Sequence, residues 1–179
     1  MNFDIKLIEN TDFGSYILKD MYSFYSNAAA VCFEENRFSG TASLIVDFTE
    51  QTIFQLNWEC LSLQVKDMHN DLIYAAEQGA YCIAFLIIHK LTNYKIIRQA
   101  KRKTGFDYWL GDKEENLPFT NKAILEVSGL LKGNKNQINQ RMAMKEIQIK
   151  QSDGLHLPSF IVITEFSEPI SKVVKNEKY

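Results

Sequence analysis

Read along the chain, apolar residues first recur at helical spacing. Phe13, Ile17, Met21, Phe24 and Ala28 fall three or four apart behind Asp12, which can cap. Side chains so spaced share one helix face, which predicts an amphipathic helix over residues 12 to about 35. Ser39-Gly40 interrupts the pattern. The segments Thr41 to Phe48 and Thr52 to Cys60 are then rich in β-branched and aromatic residues around polar Thr49-Glu50-Gln51, the signature of a β-hairpin. From Asp67 to Lys90, Ile73, Ala76, Ala80, Ala84 and Ile87 form the strongest helical stripe in the sequence. Three strands are predicted next, at Tyr94 to Lys101, at Phe106 to Leu110 between Gly105 and Gly111, and at Ala123 to Leu131. A helix over Lys135 to Lys150 follows, with Ile138, Met142 and Ile149 aligned. Phe160 to Ile163 reads as a buried strand, and the polar tail from Ser171 reads as frayed.

Ionisable residues on these apolar faces carry the interest, because a buried charge is costly unless compensated. Glu77 lies on the stripe of the long helix, and Lys145 lies at the centre of the last helical stripe. Alternation puts Asp107 on one face with Trp109, and Glu126 on one face with Ile124, Ser128 and Leu130. Tyr108 and Trp109 beside Asp107 read as packing residues rather than a stacking platform for a base.

The 179 residues, 46% hydrophobic and 23% charged, suit one compact globule and exclude a disordered or disulfide-scaffold chain. Residues 1 to 66 read as a helix and hairpin extension packed on a core spanning residues 67 to 179. Charge is divided unevenly. Residues 1 to 77 hold 4 Lys/Arg against 12 Asp/Glu, and residues 78 to 179 hold 16 against 10. Lys90, Lys95, Arg98, Lys101, Arg102 and Lys103 share an acid-free stretch from Gln78 to Phe106, which can face a polyanion or simply solvent. The longest apolar run, Ala80 to Ile88, is too short to cross a bilayer, and the first residues lack a signal peptide's pattern. A cytoplasmic chain with no membrane partner is expected. Cys32, Cys60 and Cys82 read as reduced, buried thiols.

Dinucleotide-binding, zincin, nucleophile-elbow and C-x-x-C motifs are absent, the Gly129 to Asn134 segment lacks a phosphate loop's spacing, and His69, His89 and His156 are dispersed. What remains is an order: helix with Glu77, strand, strand with Asp107, strand with Glu126-Val127-Ser128, helix with Lys145, strand. This order resembles the core of the PD-(D/E)XK restriction-endonuclease-like superfamily, within a mixed α+β or α/β fold. The segments Ala29-Ala30-Val31-Cys32, Gly105 to Leu110 and Leu125 to Gly129 also look like a bacterial protein family that carries no assigned activity.

The resemblance implies that Asp107 and Glu126 meet on adjacent strands to hold Mg²⁺ or Mn²⁺, that Glu77 joins them, and that the Val127 carbonyl adds an oxygen. Clustered carboxylates of this kind suit a hard, oxygen-preferring cation. The triplet departs from the superfamily's pattern: Ser128 stands where a Lys is expected, giving E-x-S, and a neutral hydroxyl supplies no positive charge. Some superfamily members recruit that charge from the following helix, where Lys145 lies and Arg141 falls one turn earlier. Arg141 is the weaker substitute, since it cannot act as a base. Lys145 equally fits a side chain reaching water from a helix edge. The implied function is a nuclease that hydrolyses DNA phosphodiesters, of a mobile-element or defence kind, with Lys101, Arg102, Lys103 and Arg141 on the substrate. Its alternatives are a catalytically degenerate fold that binds nucleic acid, and a module whose acidic N-terminal segment, with its aromatic helix from Phe13 to Tyr25, docks on a protein partner or a second copy.

Overall fold

The computed structural model describes residues 1 to 5, 19 to 114 and 120 to 177. Its elements are β1 (Asn2–Asp4), α1 (Lys19–Glu35), β2 (Thr41–Asp47), β3 (Gln51–Asn57), α2 (Leu63–Met68), α3 (Leu72–Leu91), β4 (Tyr94–Gln99), β5 (Tyr108–Asp112), β6 (Ala123–Leu130), α4 (Lys135–Ile149), a 3₁₀ turn (Lys150–Leu155), β7 (Ser159–Glu165) and β8 (Ile170–Asn176). The strands form one mixed sheet of eight in the order β1-β3-β2-β8-β7-β6-β5-β4. Strand β5 runs antiparallel to both β4 and β6, and β7 lies parallel to β6 across the connection through α4.

The hairpin of β2 and β3 is present, and β2 pairs in parallel with β8, so the N-terminal extension continues the sheet. Alternation is clean in β2, where Ala42, Leu44 and Val46 turn inward. By contrast β6 and β7 are buried on both faces, which is why they read as near-continuous apolar runs.

Three expectations are corrected. The stretch from Asp67 to Lys90 holds the end of one helix and most of another: α2 stops at His69, and Asp71 restarts the chain by accepting from the amides of Ile73 and Tyr74 at 3.1 Å each. The tail is a strand inside the sheet. Strand β8 reads as polar because Lys172 is only half covered and Lys175 is exposed, while Ser171 and Val173 turn inward and the Ser171 hydroxyl pairs with Thr164 at 2.8 Å. Cys32 and Cys82 are buried, but Cys60 is exposed. Finally, β1 joins the edge of the sheet beside β3, from a segment too short to show a period.

Asp12, Phe13 and Ile17 lie outside the described residues. Of the remaining aromatic helix, Tyr22 and Tyr25 are buried against α3, with rings in contact with Phe85. Those rings belong to the core rather than to an open docking face.

Helices α1 and α3 cover one face of the sheet over the larger core cluster, and α4 covers a smaller cluster on the other. By length and composition α3 is the one described helix that could cross a membrane, yet most of its apolar stretch is inside the protein. It lies close because small residues permit it. A Cβ on Gly79 would meet the Ala29 backbone at 2.8 Å, and one on Gly129 would come within 1.9 Å of the Ala76 carbonyl oxygen.

Candidate active site

Asp107 sits one residue before β5, so alternation does not carry across it. Phe106 and Trp109 instead lie together on the α4 side, rings 4.7 Å apart, with Arg98 stacked on Trp109. Tyr108 is buried in the larger core, so both aromatics beside Asp107 are packing residues. The Asp107 backbone is held from both sides: its carbonyl accepts from Ala100 at 2.7 Å, and its amide donates to the Leu125 carbonyl at 2.9 Å. Gly105 makes this approach possible. Its φ of +84° is a glycine conformation, and a Cβ there would strike the Gln148 carbonyl oxygen at 2.7 Å.

The side chains then converge. Asp107 Oδ2 accepts the Val127 amide at 2.8 Å. Glu126, fully buried on β6, places its carboxyl against that of Asp107. From α4, the Lys145 ammonium forms an ion pair with Glu126 Oε1, and Gln148 Nε2 donates to the same oxygen at 2.8 Å. Lys145 also donates to Gln148 Oε1 at 3.2 Å, which closes a triangle. The other Glu126 oxygen, Oε2, is buried without a hydrogen-bond partner.

Burial, and then the neighbouring Asp107 charge, push the Glu126 carboxyl up to about 7 against the pull of Lys145. Asp107 is also raised, by burial first, while the Val127 amide and Lys145 oppose the shift. Two adjacent carboxyls in so little water disfavour the doubly charged state.

Of the sequence-predicted residues, Asp107, Glu126, Val127 and Lys145 come together. Val127 takes part through its amide. Glu77 does not join them: the helix bends its stripe so that Ala75, Ala76, Gly79 and Ala80 face the core, and Glu77 is exposed, without an ion pair or hydrogen bond among the described residues. Arg141 is half-buried one turn before Lys145 and does not reach the acids, and Ser128 is buried two residues beyond Glu126. Lys101, Arg102 and Lys103 form an exposed turn beside the pair, anchored where the Ser152 hydroxyl donates to the Thr104 carbonyl at 2.6 Å. A recess of about 440 Å³ opens between this turn, Asp107, Gln148 and Gln151. A larger recess, about 610 Å³, lies by the start of α4 and β8, away from the acid pair.

Gln148 escaped the sequence reading. Its only sequence signal is an amide three residues after Lys145.

The described residues contain no group of three His, Cys, Asp or Glu side chains placed for a metal. Two carboxylates are nonetheless a sufficient protein donor set for Mg²⁺, which keeps several waters and completes its shell with substrate phosphate. The all-oxygen pair and the unpartnered Glu126 Oε2 fit that chemistry. No family model, curated protein or solved structure matches the chain.

Proposed function

We propose that this chain is a divalent-metal-dependent nuclease of the PD-(D/E)XK kind that hydrolyses DNA phosphodiesters. The observation that carries the reading is the reach of Lys145 from α4 to Glu126 beside Asp107, which returns the positive charge that Ser128 cannot supply. The run α3-β4-β5-β6-α4-β7, with β6 and β7 parallel, supports it.

Asp107 and Glu126 would hold Mg²⁺ or Mn²⁺, with the Val127 carbonyl as a further oxygen. Such an ion lowers the pKa of a bound water and neutralises charge on a phosphoryl oxygen. The chain's own residues do the rest. The Val127 amide fixes the Asp107 carboxyl, while Gln148 holds both Glu126 and the Lys145 ammonium that sets the charge of the pair. Lys101, Arg102 and Lys103 neutralise phosphates flanking the one attacked.

Cleavage of linear, supercoiled and single-stranded DNA and of RNA, with Mg²⁺ or Mn²⁺, tests the reading against Asp107→Ala prepared identically. The expected result is cleavage by the parent and its loss in the variant. Equal cutting by both would sink the proposal.

A degenerate fold that binds nucleic acid without cutting is favoured by one observation, that Glu126 Oε1 is already satisfied by an ammonium and an amide. Calorimetry separates the two, because a binding module has no need of Mn²⁺ at Asp107.

A further inference from the structure

We propose that Arg98, which belongs to neither the acid pair nor the basic turn, is a substrate-binding residue that holds a DNA phosphate beside the one attacked. The inference rests on the nuclease reading and adds the direction in which the DNA backbone crosses the site. Across the sheet Arg98 pairs with Trp109, and Trp109 pairs with Ile124, so the three lie in one row. Ile124 belongs to the cluster beneath α4, and Glu126 stands two residues further along the same face of β6. The row of Asp107 is marked on β4 by Ala100, whose amide donates to the Asp107 carbonyl at 2.7 Å. Arg98 therefore lies to one side of the acids along β4, and Lys101 to Lys103 follow on the other. Diagonal neighbours of this kind are about 7 to 8 Å apart, so a phosphate adjoining the attacked one lies within reach of Arg98. A DNA backbone laid along β4 meets Arg98, the acid pair and the basic turn in that order.

The guanidinium is set for an anion. It is held over the Trp109 ring, 5.4 Å from the centroid, and its Nη2 donates to Asn121 Oδ1 at 3.1 Å. Both partners are neutral. Lys66, Lys122, Lys145 and Lys175 each face a carboxylate, whereas Arg98 is exposed and faces none among the described residues. With one nitrogen engaged by Asn121, the remaining N–H groups of the planar fork are open to a phosphate, which such a fork can bind through two oxygens. The stack on Trp109 fixes the side chain beforehand, so less freedom is lost when the anion arrives.

The experiment measures binding of a short DNA duplex by the full chain across salt concentration, for the parent, Arg98→Met and Arg98→Lys. Ca²⁺, another cation that takes oxygen ligands, replaces Mg²⁺ to hold off cutting. Met keeps an unbranched apolar stem over Trp109 and removes the charge. One phosphate contact contributes about 0.9 to the slope of log affinity against log salt, so Arg98→Met is expected to be shallower by about that amount with its melting temperature unchanged. Arg98→Lys keeps the charge and is expected to restore the slope, while binding more weakly than the parent because the planar fork is gone. An unaltered slope in a folded Arg98→Met makes Arg98 a cover for Trp109 and overturns the contact, and the nuclease reading stands. If the parent itself binds no DNA at low salt, the nuclease reading falls and the contact with it. Should Arg98→Met fold poorly, phenylglyoxal modification of the parent decides. Protection of Arg98 by DNA while the exposed Arg37 stays reactive supports the role, and equal reactivity of Arg98 with and without DNA overturns it.

Discussion

The two faces of the sheet are built differently. On the α1 and α3 face, rings and aliphatic side chains fill the space and small residues set the distance between helix and strand: Ala76 and Gly79 on α3, Gly129 on β6. On the other face α4 buries only Ile138, Met142 and Ile149, leaves Met144 and Ile147 exposed, and turns Lys145 and Gln148 towards Glu126. Dense packing on one side holds the strands rigid. Thinner packing on the other leaves room for ionisable groups, whose buried charges are tolerable only because each has a partner.

The sharpest way to break this contrast is Gly129→Ala. The added methyl would fall on the backbone of α3, which cannot move without also leaving α1 at Ala29. Overpacking against backbone is expected to cost about 3 kcal/mol or more, read as a drop in the urea midpoint. Substitutions on the exposed side of α4, at Met144 for instance, are expected within about 0.5 kcal/mol of the parent. An equal, small effect at both places would show that the α3 contact is not the tight one.

A middle-sized effect probes the charged side. Glu126 keeps its proton up to about pH 7 in the folded chain, against an ordinary value of 4.5. Between those values the folded state binds more protons than the unfolded one, so this group's contribution to stability is full below about 4.5 and is lost as pH rises through 7. The loss is of the order of 3 kcal/mol at most. Glu126→Gln cannot ionise and is expected to flatten the fall, so that it matches or exceeds the parent's stability at pH 8 while differing little at pH 5. Denaturant melts at the two pH values check this, and a parent equally stable at both would refute it. The same proton opposes a cation, so Mn²⁺ affinity of the parent should rise across pH 6 to 8.

Much of this was legible in the sequence where a single period ruled. Asp107, Glu126 and Lys145 could be picked out because each is an ionisable residue in or beside a segment that reads as core. Glu77 misled because periodicity gives the spacing of a stripe, not its centre. Ile73 shares its face and is itself exposed, so the buried stripe lies to one side. Strand β8 was missed because half its side chains face out, and the sheet pairing that recruits it is not a property of the segment alone. Gln148 could not be found by pattern, since its role exists only once α4 stands on the face of β6 that carries Glu126.

The smallest effect concerns the turn at Lys101 to Lys103, which borders the α4 side. Gly105 lies on the Gln148 carbonyl and Thr104 is bonded to Ser152, so the turn is tied to the same helix end that holds Gln148 at Glu126. All three cations are exposed, and replacing them with Ala is expected to leave folding unchanged. What should change is the salt dependence of DNA binding. Each phosphate contact contributes about 0.9 to the slope of log affinity against log salt, so the triple variant should be shallower by roughly 2 to 3. If the slope is unaltered while cleavage persists, the DNA backbone follows another route to Asp107, and the basic turn is a solvated loop that happens to border the site.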